Sequence, residues 1–244
     1  LGFERRLPLG KGLIVLFTGA SGTGKTMTAS LLAQELGVSL FKVDMAALVS
    51  KWVGETEKNL ARLFDQAEYT DAVLFFDEAD AIFGRRGEVK QAQDRWANME
   101  VNYLLQRIEE FSGVVILTTN LRQNIDDAFL RRIQVIVDYP FPDEVQREEI
   151  WHRSLPEAEA LEVEERERSF RALARTFRIS GGSIKNIVVD AAFRAYRVHS
   201  KKGPVQITLR HLVAATAREY QKLGKPITQA EYGERYYAWV REDI

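Results

Sequence analysis

Short apolar runs alternate with helical stretches over the first 140 residues, and this alternation limits the possible folds more than any other feature of the sequence. Each run is too short and too uniformly apolar for a half-exposed antiparallel strand. Amphipathic helices between the runs complete the βαβ pattern of a parallel sheet. We therefore predict an α/β fold, with a five-stranded parallel sheet and helices on both of its faces. The predicted strands are Leu13–Thr18, Leu40–Val43, Val73–Asp77, Val114–Thr119 and Val135–Tyr139.

Residues 139–143, Tyr-Pro-Phe-Pro-Asp, mark a change in this pattern, because no strand-like run of any length follows them. Only amphipathic helical segments follow. We predict three parts: an α/β domain over residues 1–142, a small all-α lid domain over 143–225, and a helical C-terminal tail over 226–244. In the second part, Ser180 is a candidate N-cap for a helix that starts near Gly182.

Composition excludes several classes of protein. Apolar residues make up 45% of the 244 residues, so the chain is not disordered, collagenous or a coiled-coil rod. The 34 basic and 35 acidic side chains nearly cancel, and no overall field attracts nucleic acid or an anionic membrane. The chain has no cysteine, which excludes disulfides and fits a reducing, cytoplasmic location. No apolar run approaches the roughly 18 residues of a membrane span. Since the chain starts at Leu1, we expect it to be a segment of a longer protein.

Residues 19–26, Gly-Ala-Ser-Gly-Thr-Gly-Lys-Thr, match the phosphate-binding pattern G-x-x-x-x-G-K-[ST]. The motif stands between a predicted strand and a predicted helix, as its mechanism requires. Its glycines let backbone amides converge on a phosphate, Lys25 reaches the outer phosphates, and the Thr26 hydroxyl can bind Mg²⁺. The motif predicts a site for ATP or GTP. The predicted nucleotide contacts are Gly19, Ser21, Gly22, Thr23, Gly24, Lys25, Thr26 and Met27.

Two carboxylates, Asp77 and Glu78, stand at the end of the predicted strand Val73–Asp77. In parallel sheets the carboxyl ends of the strands line ligand crevices. Asp77 is placed to bind the hydration shell of Mg²⁺, and Glu78 is the candidate that polarises the attacking water. The alternative is that both acids only end a strand before a helix, where acidic residues are favoured.

With these motifs the sequence resembles the AAA family of P-loop ATPases, and the similarity extends over nearly the whole chain. The resemblance implies a RecA-like sheet followed by a helical lid domain, with ATP and Mg²⁺ as cofactors. In the family an asparagine at the end of the fourth strand helps to position the attacking water, and Asn120 stands at that place. The alternative for Asn120 is a strand end in a turn.

Two arginines follow residues 126–130, Asp-Asp-Ala-Phe-Leu, which are similar to the family pattern that precedes its arginine fingers. The resemblance implies that Arg131 or Arg132 stabilises charge on the phosphoryl group transferred in the neighbouring subunit. The protein is then a homo-hexameric ring whose active sites are completed in trans. Many relatives separate the two arginines by Pro-Gly, which is absent here, so either could be the finger. A surface pair of arginines is the alternative.

Residues 50–57, Ser-Lys-Trp-Val-Gly-Glu-Thr-Glu, resemble the first pore loop of the family. In that role Trp52 grips an extended polypeptide through its large apolar face, and Lys51 and Val53 flank it. The alternative for Trp52 is an ordinary core tryptophan. Three weaker assignments are a second pore loop or a neighbour contact at Arg85 and Arg86, a phosphate contact or a surface position for Lys185, and adenine contacts at Gly2 and Phe3.

Together these resemblances imply that the chain hydrolyses ATP to ADP and phosphate, and that a ring of such chains remodels, unfolds or disassembles a protein substrate. Residues 51–59, residues 94–98 and the compact arginine pair look most like bacterial members, some of them encoded beside contractile injection systems. Two alternatives stay open. One is an ATP-dependent switch or scaffold that binds a partner. The other, a DNA-acting member, is disfavoured by the net charge of −1, although eight bases and one acid lie between Arg194 and Lys225.

Overall fold

The computed structural model describes residues 12–44, 56–80, 92–121, 125, 127–155, 163–199 and 206–243. They form two compact units whose boundary falls after Pro140, and the short stretch Ser21–Thr23 belongs to the second unit by its contacts.

The first unit is a five-stranded, all-parallel sheet in the order β2-β3-β4-β1-β5. This architecture confirms the predicted fold class. The strands are β1 (Leu13–Gly19), β2 (Leu40–Asp44), β3 (Val73–Asp77), β4 (Val114–Thr119) and β5 (Val135–Tyr139). The helices are α1 (Lys25–Leu36), α2 (Thr56–Tyr69), α3 (Ala92–Glu110) and α4 (Asp127–Leu130).

Helices cover both faces of the sheet. Successive side chains of a strand point to opposite faces, so each strand packs against both helical layers. On one face, Leu16 of β1 packs in a buried cluster with Phe64 of α2 and Ile108 of α3. On the other face, Phe17 packs with Ala29 of α1. The central strands are therefore buried on both sides, which is why they read as continuous apolar runs.

Strand β5 departs from the predicted uniform burial. Val135 is 41% exposed, and Ile136 and Val137 are each 37% exposed. The physical reason is position: β5 is the last strand in the sheet order and has β1 on one side only among the described strands. An apolar run identifies the strand but does not distinguish a central strand from an edge strand.

The second unit is built from helices that bury a single aromatic and aliphatic core. Trp151, Phe170 and Phe177 are fully buried in it. Tyr232 and Tyr236, from the predicted C-terminal tail, lie in the same core. No helix in the described ranges is long and apolar enough to cross a membrane. The helices are α5 (Glu144–Ser154), α6 (Val163–Thr176), α7 (Gly181–His199), α8 (Leu209–Lys222) and α9 (Gln229–Asp243).

Arg147 connects two helices of the second unit through backbone carbonyls. It is 7% exposed, and its Nε and Nη2 donate to the carbonyl oxygen of Ala174 at 2.9 and 2.7 Å. Its Nη1 donates to the carbonyl oxygen of Pro142 at 2.6 Å. Ala174 lies in the last turn of α6, where carbonyls lack intrahelical partners and a cation is favoured. The buried guanidinium therefore ties the start of α5 to the end of α6.

We expect Arg147→Met to lower the free energy of unfolding by about 2–4 kcal/mol, because two buried carbonyls lose charged donors while most of the side-chain volume is kept. Urea unfolding followed by circular dichroism measures this loss. Arg153→Met is the matched control on the same helix: Arg153 is exposed and pairs with Glu149 at 2.7 Å. We expect a loss below about 1 kcal/mol there. Equal losses in the two variants would contradict the role assigned to Arg147.

Candidate functional site

The phosphate-loop motif connects β1 to α1. Gly19, Gly22 and Gly24 have φ angles of 145°, 77° and 105°. A Cβ at Gly19 would also lie 2.2 Å from the carbonyl oxygen of Tyr139, so this position accepts only glycine. Gly24 is the N-cap of α1, and no side chain caps this helix end. The first amides of α1 are thus available to an anion.

Lys25, the first residue of α1, links the ends of two neighbouring strands. It is 7% exposed, and its Nζ donates to the carbonyl oxygens of Gly19 at 2.6 Å and Ala20 at 2.9 Å. The same Nζ donates to Oδ1 of Asn120 at 2.9 Å. Asn120 directly follows β4, which pairs with β1. The structure therefore brings together two residues that the sequence assigned to one site.

Acidic side chains surround this ammonium group. Burial lowers the pKa of Lys25 below its ordinary value, and the charges of Asp77, Asp80 and Glu78 oppose that effect. Three carboxylates near one buried lysine form a cluster that attracts further cations.

Asp77 ends β3 and accepts hydrogen bonds from three directions. Oδ1 accepts from Oγ1 of Thr118 at 2.9 Å, and Oδ2 accepts from Oγ1 of Thr26 at 3.3 Å. Oδ2 also lies 2.8 Å from Nζ of Lys42. Burial by itself raises the pKa of Asp77, but the bonds from Lys42 and Thr118, the Lys42 charge and the bond from Thr26 lower it below its ordinary value. The carboxyl group is therefore ionised at neutral pH.

The pair formed by Thr26 and Asp77 fits Mg²⁺ by its chemistry. Both offer oxygen atoms, the ligands this hard cation prefers, and the two oxygens are 3.3 Å apart. Mg²⁺ keeps several of its waters and is bound by one or two protein oxygens plus substrate phosphates. Two protein oxygens beside a phosphate loop match that requirement.

Glu78 has an unusual backbone conformation. Its φ is 52°, in the left-handed region that residues other than glycine rarely adopt. Its amide donates to Oγ1 of Thr118 at 3.0 Å, and the next amide, of Ala79, donates to the Thr118 carbonyl oxygen at 2.8 Å. Thr118 is 1% exposed. These bonds hold the strained backbone, and the Glu78 side chain lies exposed at the sheet edge where the phosphate loop begins.

The two arginines predicted as fingers follow α4, and both are exposed. Nε of Arg132 lies 3.0 Å from Oε1 of Glu109 on α3. Arg132 is thus paired with α3 of its own unit and not with Asp77, Glu78 or Asp80. Arg131 has no ion pair with any residue in the described part of the chain.

The middle of the phosphate loop makes contacts within the second unit. The amide of Gly182 donates to the carbonyl oxygen of Gly22 at 2.8 Å, and a Cβ at Gly22 would lie 2.4 Å from Oγ of Ser180. Ser180 also accepts from the Ser183 amide at 3.3 Å, as expected of the predicted N-cap. Lys185, one turn further along α7, is exposed.

Several predicted site residues lie outside the described residues, so the structure gives no account of them. These residues are Gly2, Phe3, Lys51, Trp52, Val53, Arg85 and Arg86.

Two residues of the site were missed by sequence reasoning. Lys42 stands in the middle of the otherwise apolar run Leu40–Val43, and a lone charge in such a run was the available signal. Thr118 precedes the predicted sensor asparagine by two positions, where threonine is a common strand residue and gives no signal. A neighbouring pair completes the edge: the Thr119 hydroxyl donates to Asp80 and accepts from the Leu121 amide at 2.9 Å.

Comparison with known proteins agrees with this geometry. Residues 15–141 match the family described as "ATPase family associated with various cellular activities (AAA)". The chain is 31% identical to cell division protein C of Sulfolobus acidocaldarius, covering 95% of this chain and 63% of that protein. It is 30% identical to the proteasome-activating nucleotidase of Saccharolobus solfataricus, with coverage of 91% and 56%. It is 30% identical to the katanin p60 ATPase-containing subunit A1 of Strongylocentrotus purpuratus, with coverage of 93% and 47%.

The chain thus spans between 47% and 63% of the length of these relatives. They are archaeal and eukaryotic, and the bacterial affiliation stays a prediction. Among solved structures, the crystal structure of the FIGL-1 AAA domain in complex with ADP superposes with a TM-score of 0.67 at 24% identity, covering 95% of this chain and 78% of that one. At this identity the likeness supports the fold.

We expect Thr118→Val to lower the free energy of unfolding by about 1–3 kcal/mol, because a nearly isosteric change removes the acceptor of the Glu78 amide and the donor to Asp77. Thermal and urea unfolding measure the loss. The control is Thr70→Val, since the exposed Thr70 hydroxyl only donates to the Gln66 carbonyl oxygen at 2.8 Å. We expect it to change stability by less than about 0.5 kcal/mol. A Thr118→Val protein as stable as its Thr70→Val counterpart would show that the hydroxyl does not hold this backbone.

Proposed function

Since this chain belongs to the AAA family of ATPases, we propose that it binds ATP with Mg²⁺, hydrolyses it to ADP and phosphate, and works in a ring to remodel, unfold or disassemble a protein substrate. One observation carries the proposal: the phosphate loop, the buried Lys25 and the oxygen pair of Thr26 and Asp77 meet at one edge of the sheet. No other chemistry requires these groups together as directly as nucleotide binding does.

In this mechanism the phosphates approach the amides at the start of α1. Lys25 donates to them, and Asn120, whose Oδ1 accepts from Lys25, is the proposed polar group that helps to position the attacking water. Thr26 and Asp77 would hold Mg²⁺, which when bound neutralises charge on the β- and γ-phosphate oxygens. Positioning and electrostatics do most of the work in phosphoryl transfer.

Glu78 is the proposed residue that orients the attacking water. Its carboxylate is exposed next to Asp77, and Thr118 fixes its backbone. A carboxylate in this position polarises a water molecule and accepts its proton as the oxygen attacks the γ-phosphate. Asp77 and Glu78 are adjacent in sequence but serve different partners, the metal ion and the water.

A ring is the proposed assembly, a homo-hexamer in which Arg131 or Arg132 reaches the nucleotide of the neighbouring subunit. Both side chains are exposed, which suits a group that acts on another subunit. An arginine supplied in trans accelerates hydrolysis by about 10³–10⁵ in well-studied cases. The relatives support an assembly, since one is named as a subunit and another as a proteasome-activating nucleotidase.

The proposed substrate is a protein, gripped by Trp52 with Lys51 and Val53 beside it. A tryptophan face holds varied side chains by burial, without sequence-specific hydrogen bonds. The relative named proteasome-activating nucleotidase supports this substrate class. We place the protein in the cytoplasm, which suits a chain without cysteine.

The trans arrangement predicts recovery of activity from two inactive proteins. Glu78→Gln chains keep their arginines but cannot activate water, and Arg131→Ala/Arg132→Ala chains keep Glu78 but lack the finger. Mixed rings contain interfaces where an intact Glu78 meets intact arginines, so phosphate release should rise above the sum of the separate proteins. Mixing Glu78→Gln with Lys25→Met is the control. Each chain then carries a defect in its own nucleotide site, which a neighbour's arginine cannot repair, so no recovery is expected.

If the first mixture stays as inactive as the control, the trans proposal fails. If activity recovers, the single variants Arg131→Ala and Arg132→Ala are mixed with Glu78→Gln in the same way. The finger is the arginine whose variant is inactive alone and recovers in the mixture.

We expect Trp52→Ala to preserve ATP hydrolysis while the unfolding of a tagged protein substrate is lost, because the variant removes the gripping surface only. Trp52→Tyr keeps an aromatic face and should keep most of the unfolding rate. Parallel measurement of phosphate release, substrate unfolding and melting temperature separates the outcomes. A lower melting temperature with reduced hydrolysis would indicate a core tryptophan. Normal substrate unfolding by Trp52→Ala would contradict the proposed grip of Trp52 on the substrate.

A further inference from the structure

Lys42 is the second cation beside Asp77, and the proposed function gives it no role. It lies in β2, whose register with β3 pairs Lys42 with Phe75 and Asp44 with Asp77. The side chain therefore runs along the neighbouring strand by two residues. Its Nζ lies 5.9 Å from the centroid of the Phe75 ring and 2.8 Å from Oδ2 of Asp77.

The oxygen that Lys42 contacts is the one that faces Thr26. Oδ2 of Asp77 lies 3.3 Å from Oγ1 of Thr26, while Oδ1 is occupied by the Thr118 hydroxyl. A metal ion held between Thr26 and Asp77 would use the same carboxylate oxygen as the ammonium group. The two cations would then lie within a few ångströms of each other and repel.

We propose that Lys42 is a positioning residue that occupies Asp77 Oδ2 in the metal-free protein and yields this oxygen when Mg²⁺ binds, so that it sets the metal concentration at which the site fills. This inference rests on the proposed Mg²⁺-nucleotide function of the site. Lys42 competes with the metal ion for this oxygen, and its 2.8 Å contact keeps the Asp77 carboxylate in place when no metal is bound.

The size of the effect follows from exposure. The Lys42 side chain is 54% exposed and that of Asp77 is 25% exposed, so water screens the pair and the ammonium group can leave at small cost. Exposed ion pairs of this kind correspond to changes of about two- to fivefold in an equilibrium constant. A competitor of this strength adjusts metal affinity without blocking the site.

The opposite role for Lys42 predicts the opposite sign. If Lys42 served only to orient Asp77 as a metal ligand, its removal would weaken metal binding. If it competes, its removal strengthens metal binding. A single affinity measurement therefore separates the two roles.

The experiment titrates Mn²⁺, detected by electron paramagnetic resonance, into the protein in the presence of ADP. We expect Lys42→Met, which keeps the apolar stem over Phe75, to bind Mn²⁺ about two- to fivefold more tightly than the wild type. Lys42→Arg keeps the charge and should bind like the wild type. Arg153→Met removes one positive charge from an exposed pair in the second unit and should leave the affinity unchanged.

Equal or weaker Mn²⁺ affinity in Lys42→Met, with ADP binding intact, would overturn the inference and leave the proposed function standing. A wild-type protein that binds neither ADP nor Mn²⁺ would overturn the proposed function itself. Melting temperatures of the four proteins, measured without metal, establish that each is folded. An equal increase in Mn²⁺ affinity in Arg153→Met would show that the change in net charge causes the effect, and would also overturn the inference.

Discussion

The Lys25 ammonium group is the contact on which the organisation of this site depends. It accepts no hydrogen bond and carries a charge into a 7% exposed position, so it must be surrounded by acceptors. The acceptors are the carbonyl oxygens at the end of β1 and the side chain that follows β4. One cation thus fixes the loop, the start of α1 and the carboxyl edge of two strands. The parallel sheet makes this possible because all strand ends meet at the same edge.

Charge balance explains the rest of the cluster. Asp77, Glu78 and Asp80 lie near Lys25, and Lys42 adds a second cation beside Asp77. In the proposed complex, the phosphates would bring negative charge to Lys25, and a divalent cation would bring positive charge to the carboxylates. The two therefore compensate each other, which is the physical reason that nucleotide and metal ion bind as a pair in sites of this type.

Local patterns predicted most of the fold, and long-range register decided the rest. The five strands were predicted to within one residue at each end, because buried parallel strands require short continuous apolar runs. The phosphate loop was visible because its residues are contiguous. Thr118 and Asp77 are 41 residues apart, and their contact depends on how β3 and β4 align, which no local pattern specifies. The contact of Lys42 with Asp77 depends in the same way on the register of β2 and β3, and the exposure of β5 depends on the strand order.

The hydrogen bonds that Lys25 makes to the loop carbonyls bear on how quickly a nucleotide can be captured. Because the ammonium group donates to the loop carbonyls, a phosphate that binds Lys25 exchanges partners with them and does not have to order the loop. With little reordering of the loop required, we expect related nucleotides to associate at similar rates. We therefore expect differences in affinity between nucleotides to lie mainly in their dissociation rates.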